Sequence, residues 1–163
     1  MNKQIIFAFL IIGFLLNSCI EKSNTEEEMP AFELLSPLPC DTIYFGEQYL
    51  FEVKFTDNAG LGSLYMDLHN NFGHHSHGEH ESCAMDAVKD AVNPYYNDWN
   101  IKLPEDSTSY LLKEQINFEE FSTEGGTETK WDEGDYHFHI YITDKDGNQV
   151  FTALDVKMLY RTN

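Results

Sequence analysis

The chain has 163 residues, with 10 Lys and Arg against 28 Asp and Glu, so its formal net charge is −18. A surface of this sign repels phosphate backbones, which excludes nucleic acid as an expected partner, and it also disfavours anionic lipid headgroups. The same field raises the local concentration of cations. The length allows one folded domain with one core.

The N-terminal segment has the pattern of a bacterial lipoprotein signal peptide. Lys3 precedes an apolar run over residues 5–16, which has the length of a secretory signal core and is too short to span a bilayer. The run ends in Leu-Asn-Ser-Cys, which resembles a lipobox with Cys19 as the lipidated residue. The alternative, a buried helix, is disfavoured because a polar tract follows at once. We therefore expect residues 1–18 to be a signal peptide and Cys19 to carry a lipid anchor.

Residues 19–29 are predicted to form an acidic tether. They include three consecutive glutamates and too few apolar residues to bury a stable surface. Acidic residues soon after a lipidated cysteine also resemble the surface-export signals of Bacteroidetes lipoproteins. A solvated linker and an export signal both fit this composition. The folded domain is predicted to span residues 30–163.

Two cysteines remain in the predicted domain, Cys40 and Cys83. In an exported protein such a pair is most simply a disulfide. Because Cys83 lies three residues after His80, the alternative role for Cys83 is that of a thiolate metal ligand. We favour the disulfide, since it accounts for both cysteines.

Several segments alternate apolar and polar residues with the period of a β-strand. The clearest are residues 49–56, 64–69, 136–143 and 150–158, and shorter or interrupted ones are residues 32–38, 42–45 and 110–118. A polar turn at residues 144–148 joins the last two long segments as a hairpin. The residues of that turn also have part of the spacing of a calcium-binding loop, but Asp155 occupies the position at which such a loop requires a bidentate Glu. Short strands with polar turns predict an all-β, immunoglobulin-like antiparallel β-sandwich.

A long insertion, about residues 69–104, interrupts the strand pattern. Met85, Val88 and Val92 have helical spacing and an Asn-Pro pair follows them, so one short helix is predicted over residues 83–92. Insertions of this length in compact domains are usually functional.

The insertion opens with a histidine cluster, because five of the seven histidines fall within residues 69–80. They are His69, His74, His75, His77 and His80. Imidazole is the commonest metal ligand and suits zinc and copper. By itself, however, such a tract can be a flexible chelator without defined geometry.

Two further histidines are predicted to lie beside His69. In an immunoglobulin-like sandwich the third and penultimate strands are antiparallel neighbours, so His137 and His139 should share one face with Asp67 and His69. Cross-strand Cβ atoms lie about 4.5 to 5.5 Å apart, within reach of one ion bound at about 2.0 to 2.1 Å. The predicted metal ligands are Asp67, His69, His74, His75, His77, His80, His137 and His139.

The closing pattern GDYHFHIYITDKDGNQV, residues 134–150, resembles the last hairpin of immunoglobulin-like domains. With the strand ending in His69, the HHSHGEH loop and the lipobox, the domain resembles the DUF4625 family of Bacteroidetes lipoproteins over about residues 29–159. The resemblance implies the fold and the export route. It carries no activity, so function has to be argued from the residues.

These features predict an outer-membrane lipoprotein, periplasmic or surface-facing, that captures or buffers a transition metal ion. Zinc is the first expectation and copper the second, because the ligands are imidazoles without a methionine cluster. The expected partners are the membrane, through the anchor on Cys19, and a TonB-dependent receptor or metal transporter. No nucleophile and base motif is recognisable, so we do not expect an enzyme.

The alternative function is an adhesion or glycan-binding module with incidental histidines. It would present Tyr95, Tyr96 and Trp99 of the insertion as a stacking platform. Aromatic side chains in an insertion more often pack it onto the domain.

Overall fold

The computed structural model describes residues 28–75 and 83–162, and every regular element in these ranges is a β-strand. No helix in this part of the chain is long and apolar enough to cross a membrane. The predicted signal peptide, Cys19 and most of the tether lie outside the described residues, as do His77 and His80. The strands are β1 (Ala31–Ser36), β2 (Thr42–Tyr44), β3 (Gln48–Thr56), β4 (Leu61–Asn70), β5 (Asn97–Lys102), β6 (Ser109–Asn117), β7 (Phe121–Glu124), β8 (Thr127–Lys130), β9 (Gly134–Asp144) and β10 (Gln149–Leu159).

Two sheets account for eight of these strands. One sheet has the order β1-β3-β6 and the other has the order β2-β10-β9-β4-β5. Strands β7 and β8 form a separate hairpin around Gly125 and Gly126, whose φ values of 59° and 82° suit a two-residue turn with left-handed residues at both positions. The prediction of an all-β fold is confirmed.

The hydrophobic core lies between the two sheets. Each long strand alternates, and its apolar face points inward, as the sequence pattern predicts. Phe51 of β3 stacks on Phe138 of β9 with ring centroids 5.8 Å apart, and Trp99 of β5 stacks on the same Phe138 at 6.0 Å. Burying a side chain of this size contributes about 1.5 to 3 kcal/mol, so these contacts hold the two sheets together.

One strand pair departs from the predicted antiparallel arrangement. Strand β2 pairs with β10 in parallel, whereas β10 pairs with β9 antiparallel. The reason is that β1 and β2 belong to different sheets, so the chain changes sheet between residues 37 and 41 instead of forming a hairpin. The backbone N–H of Cys40 donates to the carbonyl oxygen of Asp155 at 2.8 Å and begins this pairing.

The predicted helix over residues 83–92 is wrong, since that segment forms neither a helix nor a strand. Its peptide N–H groups bond to side chains of the β-sandwich instead of to a preceding turn. The N–H of Asp86 donates to Asp135 at 2.7 Å, and that of Val92 donates to Asp132 at 2.7 Å. Val88 and Val92 are 66% and 88% exposed, so their helical spacing does not mark a buried face.

The insertion also contains a strand that the sequence analysis missed. Strand β5 pairs antiparallel with β4 along six residues and forms the edge of the larger sheet. Its residues alternate between half-buried and exposed, and Trp99 and Ile101 pack against the core. The alternation was too short, and too rich in Asn and Asp, to stand out as a strand.

The predicted disulfide between Cys40 and Cys83 is confirmed. It joins residues 43 apart in sequence, and a loop of that size stabilises the fold by about 4 kcal/mol in the chain-entropy model. Because Cys40 is bonded to the backbone of β10, the disulfide ties the insertion across the outer face of the larger sheet. The alternative role of Cys83 as a thiolate ligand is therefore not adopted in this structure.

The turn between β9 and β10 is organised by the Asp144 side chain. Its Oδ1 accepts from the N–H groups of Asp146 and Asn148, both at 2.8 Å, and its Oδ2 accepts from Asn148 Nδ2 at 2.8 Å. Burial alone would raise the pKa of Asp144, but these hydrogen bonds outweigh it and hold that pKa below its usual 3.8. The geometry is that of a hairpin turn, as predicted.

Replacing Asp144 with Asn is expected to lower the free energy of unfolding at pH 7 by about 1 to 3 kcal/mol, because charged hydrogen-bond acceptors contribute that much. Since the pKa is lowered in the folded state, this contribution is complete above about pH 4 and is lost as the pH falls further. Urea unfolding from pH 7 to pH 2 measures it. The exposed neighbour Asp146→Asn is the matched control, and equal effects of both variants would contradict the assignment.

Candidate metal centre

The predicted pairing of the two histidine-bearing strands is confirmed. Strands β4 and β9 are antiparallel neighbours, and their register places Asp67 opposite His139 and His69 opposite His137. In both strands the residues next to these four face the core. Because successive side chains of a strand point to opposite faces, the four side chains project from the outer face of the larger sheet.

This outer face is covered where the histidines lie. His137 is completely buried and His139 is 5% exposed, although both belong to the side of the sheet away from the core. The cover comes from the insertion. Asn71, at its start, places Nδ2 2.8 Å from His137 Nε2, and Cys83, further along, lies over β10 with Sγ 3.7 Å from the carbonyl oxygen of Asp155.

Three histidines converge where the insertion meets this face, and we call them the three-histidine group. They are His69 from β4, His75 from the insertion and His137 from β9, and one ring nitrogen of each lies within 4.8 Å of the others. Of these, His137 is buried, His69 is half-buried and His75 is exposed. The Nε2 atoms of His69 and His75 are 3.5 Å apart. Two ligands bound at about 2.0 to 2.1 Å around a tetrahedral ion are separated by about 3.3 to 3.4 Å, so this spacing is close to that of a formed site.

Two carboxylates orient the rings of the three-histidine group. His69 Nδ1 lies 2.7 Å from Asp67 Oδ1, and His137 Nε2 lies 2.8 Å from Asp155 Oδ1. Where such a ring nitrogen donates its proton to the carboxylate, the other nitrogen of the same ring has the lone pair. Carboxylate–histidine pairs of this kind accompany metal-ligating histidines, because they fix the tautomer and raise ligand basicity.

A second set of side chains shares His69, and we call it the Asp67 group. It comprises Asp67, His69 and His139, whose ligand atoms also lie within 4.8 Å of one another. Asp67 Oδ2 is 3.3 Å from His139 Nδ1, so the two oxygens of one carboxylate face two histidines. The half-buried ring of His69 crosses that of His139 with centroids 4.5 Å apart.

His74 is placed apart from both groups. Its Nε2 lies 3.8 Å from Asp135 Oδ2, on the side where the insertion is fastened to the sheet. Lys157 forms ion pairs there with Asp86 at 2.7 Å and with Asp135 at 2.9 Å. Burial alone would lower the pKa of Lys157, but these two carboxylates raise it above its usual value. This part of the face is therefore a structural fastening.

The charge of Asp67 extends over the neighbouring tyrosines of the outer face. A hydrogen bond with Tyr96, followed by burial and the carboxylates of Asp67 and Asp98, raises the pKa of Tyr65 to about 12. Burial and the Asp67 carboxylate also raise the pKa of Tyr141. In both shifts the negative charge of Asp67 contributes less than burial does, and a charge of that sign favours a nearby cation.

The three aromatic residues proposed for sugar stacking do not form one exposed surface. Tyr95 is 3% exposed and packs edge-on against Trp131 with centroids 5.2 Å apart, and the half-buried Trp99 stacks on Phe138 of the core. Tyr96 alone of the three is well exposed, at 59%. Their positions fit the alternative role of packing the insertion onto the sandwich.

Two residues of the centre were missed by the sequence analysis. Asp155 lies directly opposite His137 in the β9–β10 pairing. The sequence could have indicated this position, because the predicted hairpin turn at residues 144–148 fixes which residues of the two strands face each other. Asn71 follows β4 and is fully buried against His137. No periodic pattern marks Asn71, because it lies where the strand ends.

Comparison of the sequence and the fold with known proteins identifies the family of the chain. The fold aligns with the crystal structure of a beta-glucosidase from Listeria innocua over 82% of this chain and 17% of that one, with 12% identity and a TM-score of 0.37, a likeness too low to support any argument. No curated protein matches the sequence. The family model described as a domain of unknown function, DUF4625, matches residues 17–159, and the chain therefore belongs to the DUF4625 family.

Proposed function

We propose that this protein binds a divalent transition metal ion through the three-histidine group, with zinc first and copper second. The observation that carries the proposal is the convergence of His69, His75 and His137 from three separate segments, with ligand atoms within 4.8 Å. Ligands held by two strands and one insertion have a defined geometry, unlike a histidine-rich tract in isolation. Imidazole nitrogens in such a set suit zinc and Cu(II).

The charges around the group also fit a bound cation. Asp67 and Asp155 are 9% and 5% exposed, and each is paired with a histidine that would ligate through its other nitrogen. Burying a carboxylate is energetically unfavourable unless nearby positive charge or hydrogen bonds compensate for its lost hydration. A divalent ion bound to His69 and His137, on the ring edges away from the two carboxylates, would supply the positive charge that neutral imidazoles lack. His77 and His80 remain predicted ligands outside the described residues.

The role that fits these features is capture, buffering or hand-over of the ion outside the cytoplasm. We propose that residues 1–18 are a lipoprotein signal, that Cys19 carries the lipid and that residues 19–29 tether the domain to the outer membrane. The family match begins at residue 17 and includes Cys19. A TonB-dependent receptor or a metal transporter is the proposed partner, and no enzymatic activity is proposed.

We also propose an immunoglobulin-like topology for the sandwich. The orders β1-β3-β6 and β2-β10-β9-β4-β5 support it, because strands four, nine and ten then correspond to the C, F and G strands of such domains. This topology accounts for the adjacency of the two histidine-bearing strands.

Metal binding is tested by calorimetric titration of the purified, metal-free protein with Zn(II) and with Cu(II). We expect stoichiometric binding that weakens by at least about 100-fold in His69→Ala and in His137→Ala, because each removes a ligand from the group. His74→Ala is the matched control and should bind like the wild type, since His74 belongs to neither group. Absence of binding, or unchanged affinity in both ligand variants, would contradict the proposal.

Replacing Asp155 with Asn is expected to weaken zinc binding by about 10- to 100-fold without unfolding the protein, because outer-shell carboxylates contribute that much to affinity. The amide keeps an acceptor for His137 Nε2 but removes the negative charge. Competition with a chromophoric chelator measures the change. Unaltered affinity in a folded Asp155→Asn variant would show that His137 is not oriented for a metal by this carboxylate.

The proposed anchor is tested by expressing the full chain and its Cys19→Ala variant in a bacterium that processes lipoproteins. The wild type should fractionate with membranes and incorporate labelled palmitate, because the thiol of Cys19 is the lipidation point. The Cys19→Ala variant should lose the label. Equal labelling of both proteins, or none of the wild type, would exclude the anchor.

A further inference from the structure

We infer that the Asp67 group is a second metal position and that His69 bridges it to the first. The inference rests on the proposed function of the three-histidine group and extends it from one ion to two. Zn(II) and Cu(II) are the ions considered, because the Asp67 group supplies two imidazoles and one carboxylate, a ligand set that both accept.

The two nitrogens of His69 face different sets of ligands. Nε2 lies 3.5 Å from His75 Nε2 in the three-histidine group, and Nδ1 lies 2.7 Å from Asp67 Oδ1 in the Asp67 group. These nitrogens are on opposite edges of one ring, so a single ion cannot bind both. Two ions, one at each nitrogen, use the full set of side chains that the sheet places together.

His139 supports a second position, because the first position does not use it. It is 5% exposed, it is held on the same face as His69, and its Nδ1 is 3.3 Å from Asp67 Oδ2. That spacing is close to the distance of about 3.3 to 3.4 Å between two ligands of a tetrahedral ion. The carboxylate and the imidazole are thus already separated as two ligands of one ion would be.

A further carboxylate adjoins this position from the edge strand. Asp98 of β5 lies directly opposite Asp67 in the β4–β5 pairing, which places their Cβ atoms about 4.5 to 5.5 Å apart on the same face. Asp98 is exposed, so the second position lies near solvent. The register thus adds negative charge where the second ion would enter.

The two positions fill in a definite order. The first ion takes the Nε2 lone pair of His69 while Asp67 still accepts the hydrogen bond from Nδ1. The second ion displaces the Nδ1 proton, which passes to the buffer, and His69 becomes an imidazolate bound to both ions. Asp67 then changes from a hydrogen-bond acceptor to a ligand. No electron transfer is involved.

The experiment is a Cu(II) titration of the purified full chain followed by electron paramagnetic resonance. The first equivalent should give the signal of an isolated Cu(II) ion. The second should reduce the total intensity, because two Cu(II) spins joined by an imidazolate couple antiferromagnetically. Binding of two equivalents whose signals simply add would overturn the bridge, and saturation at one equivalent would overturn the second position.

Variants separate this inference from the function on which it rests. His139→Ala should keep the first equivalent and lose the second, with an affinity decrease of at least about 100-fold, and His139→Gln serves where the alanine variant does not fold. His74→Ala should bind both equivalents. Retention of the second equivalent in a folded His139 variant contradicts the inference, whereas loss of all binding in the wild type contradicts the proposed function itself.

Discussion

The register between β4 and β9 is the constraint on which the rest of the site depends. It places Asp67 opposite His139 and His69 opposite His137. Side chains alternate with a period of two, so a slip of one residue would turn the histidines of these strands into the core and their apolar residues outward. The apolar faces of both strands prevent that slip, because they pack on the opposite sheet. The hydrophobic core therefore determines where the polar groups converge.

The outer face is unusual because its polar groups are buried although they point away from the core. The insertion crosses this face from Asn71 and is fastened further along by the disulfide at Cys83 and by the ion pairs of Lys157. Covering charged and polar groups is unfavourable unless they bond to one another. Here each covered histidine of the sheet meets a carboxylate, Asp67 or Asp155. The cover buries His137 and His139, whereas His69 is half-buried and His75 is exposed.

Alternation of apolar and polar residues was sufficient to predict the long strands and the adjacency of His69 with His137. The same pattern gave wrong predictions where contacts with distant parts of the chain determine the local structure. The helix predicted around Val88 is absent, since the side chains of Asp132 and Asp135 take the peptide N–H groups that a helix would use. Strand β5 was missed because its stability comes from pairing with β4, which a single segment does not reveal. His75 was predicted as a ligand together with His74, and the structure separates the two, because His75 lies beside His69 and His74 lies beside Asp135.

The central claim is that histidines from the sheet and the insertion bind one ion within a defined shell. X-ray absorption at the zinc edge, on the protein loaded with one equivalent, examines that shell directly. The account predicts nitrogen or oxygen ligands at about 2.0 to 2.1 Å, the outer-shell scattering of at least three imidazoles, and no sulfur at about 2.3 Å. A shell of oxygen without imidazole scattering, or one that contains sulfur, would contradict it.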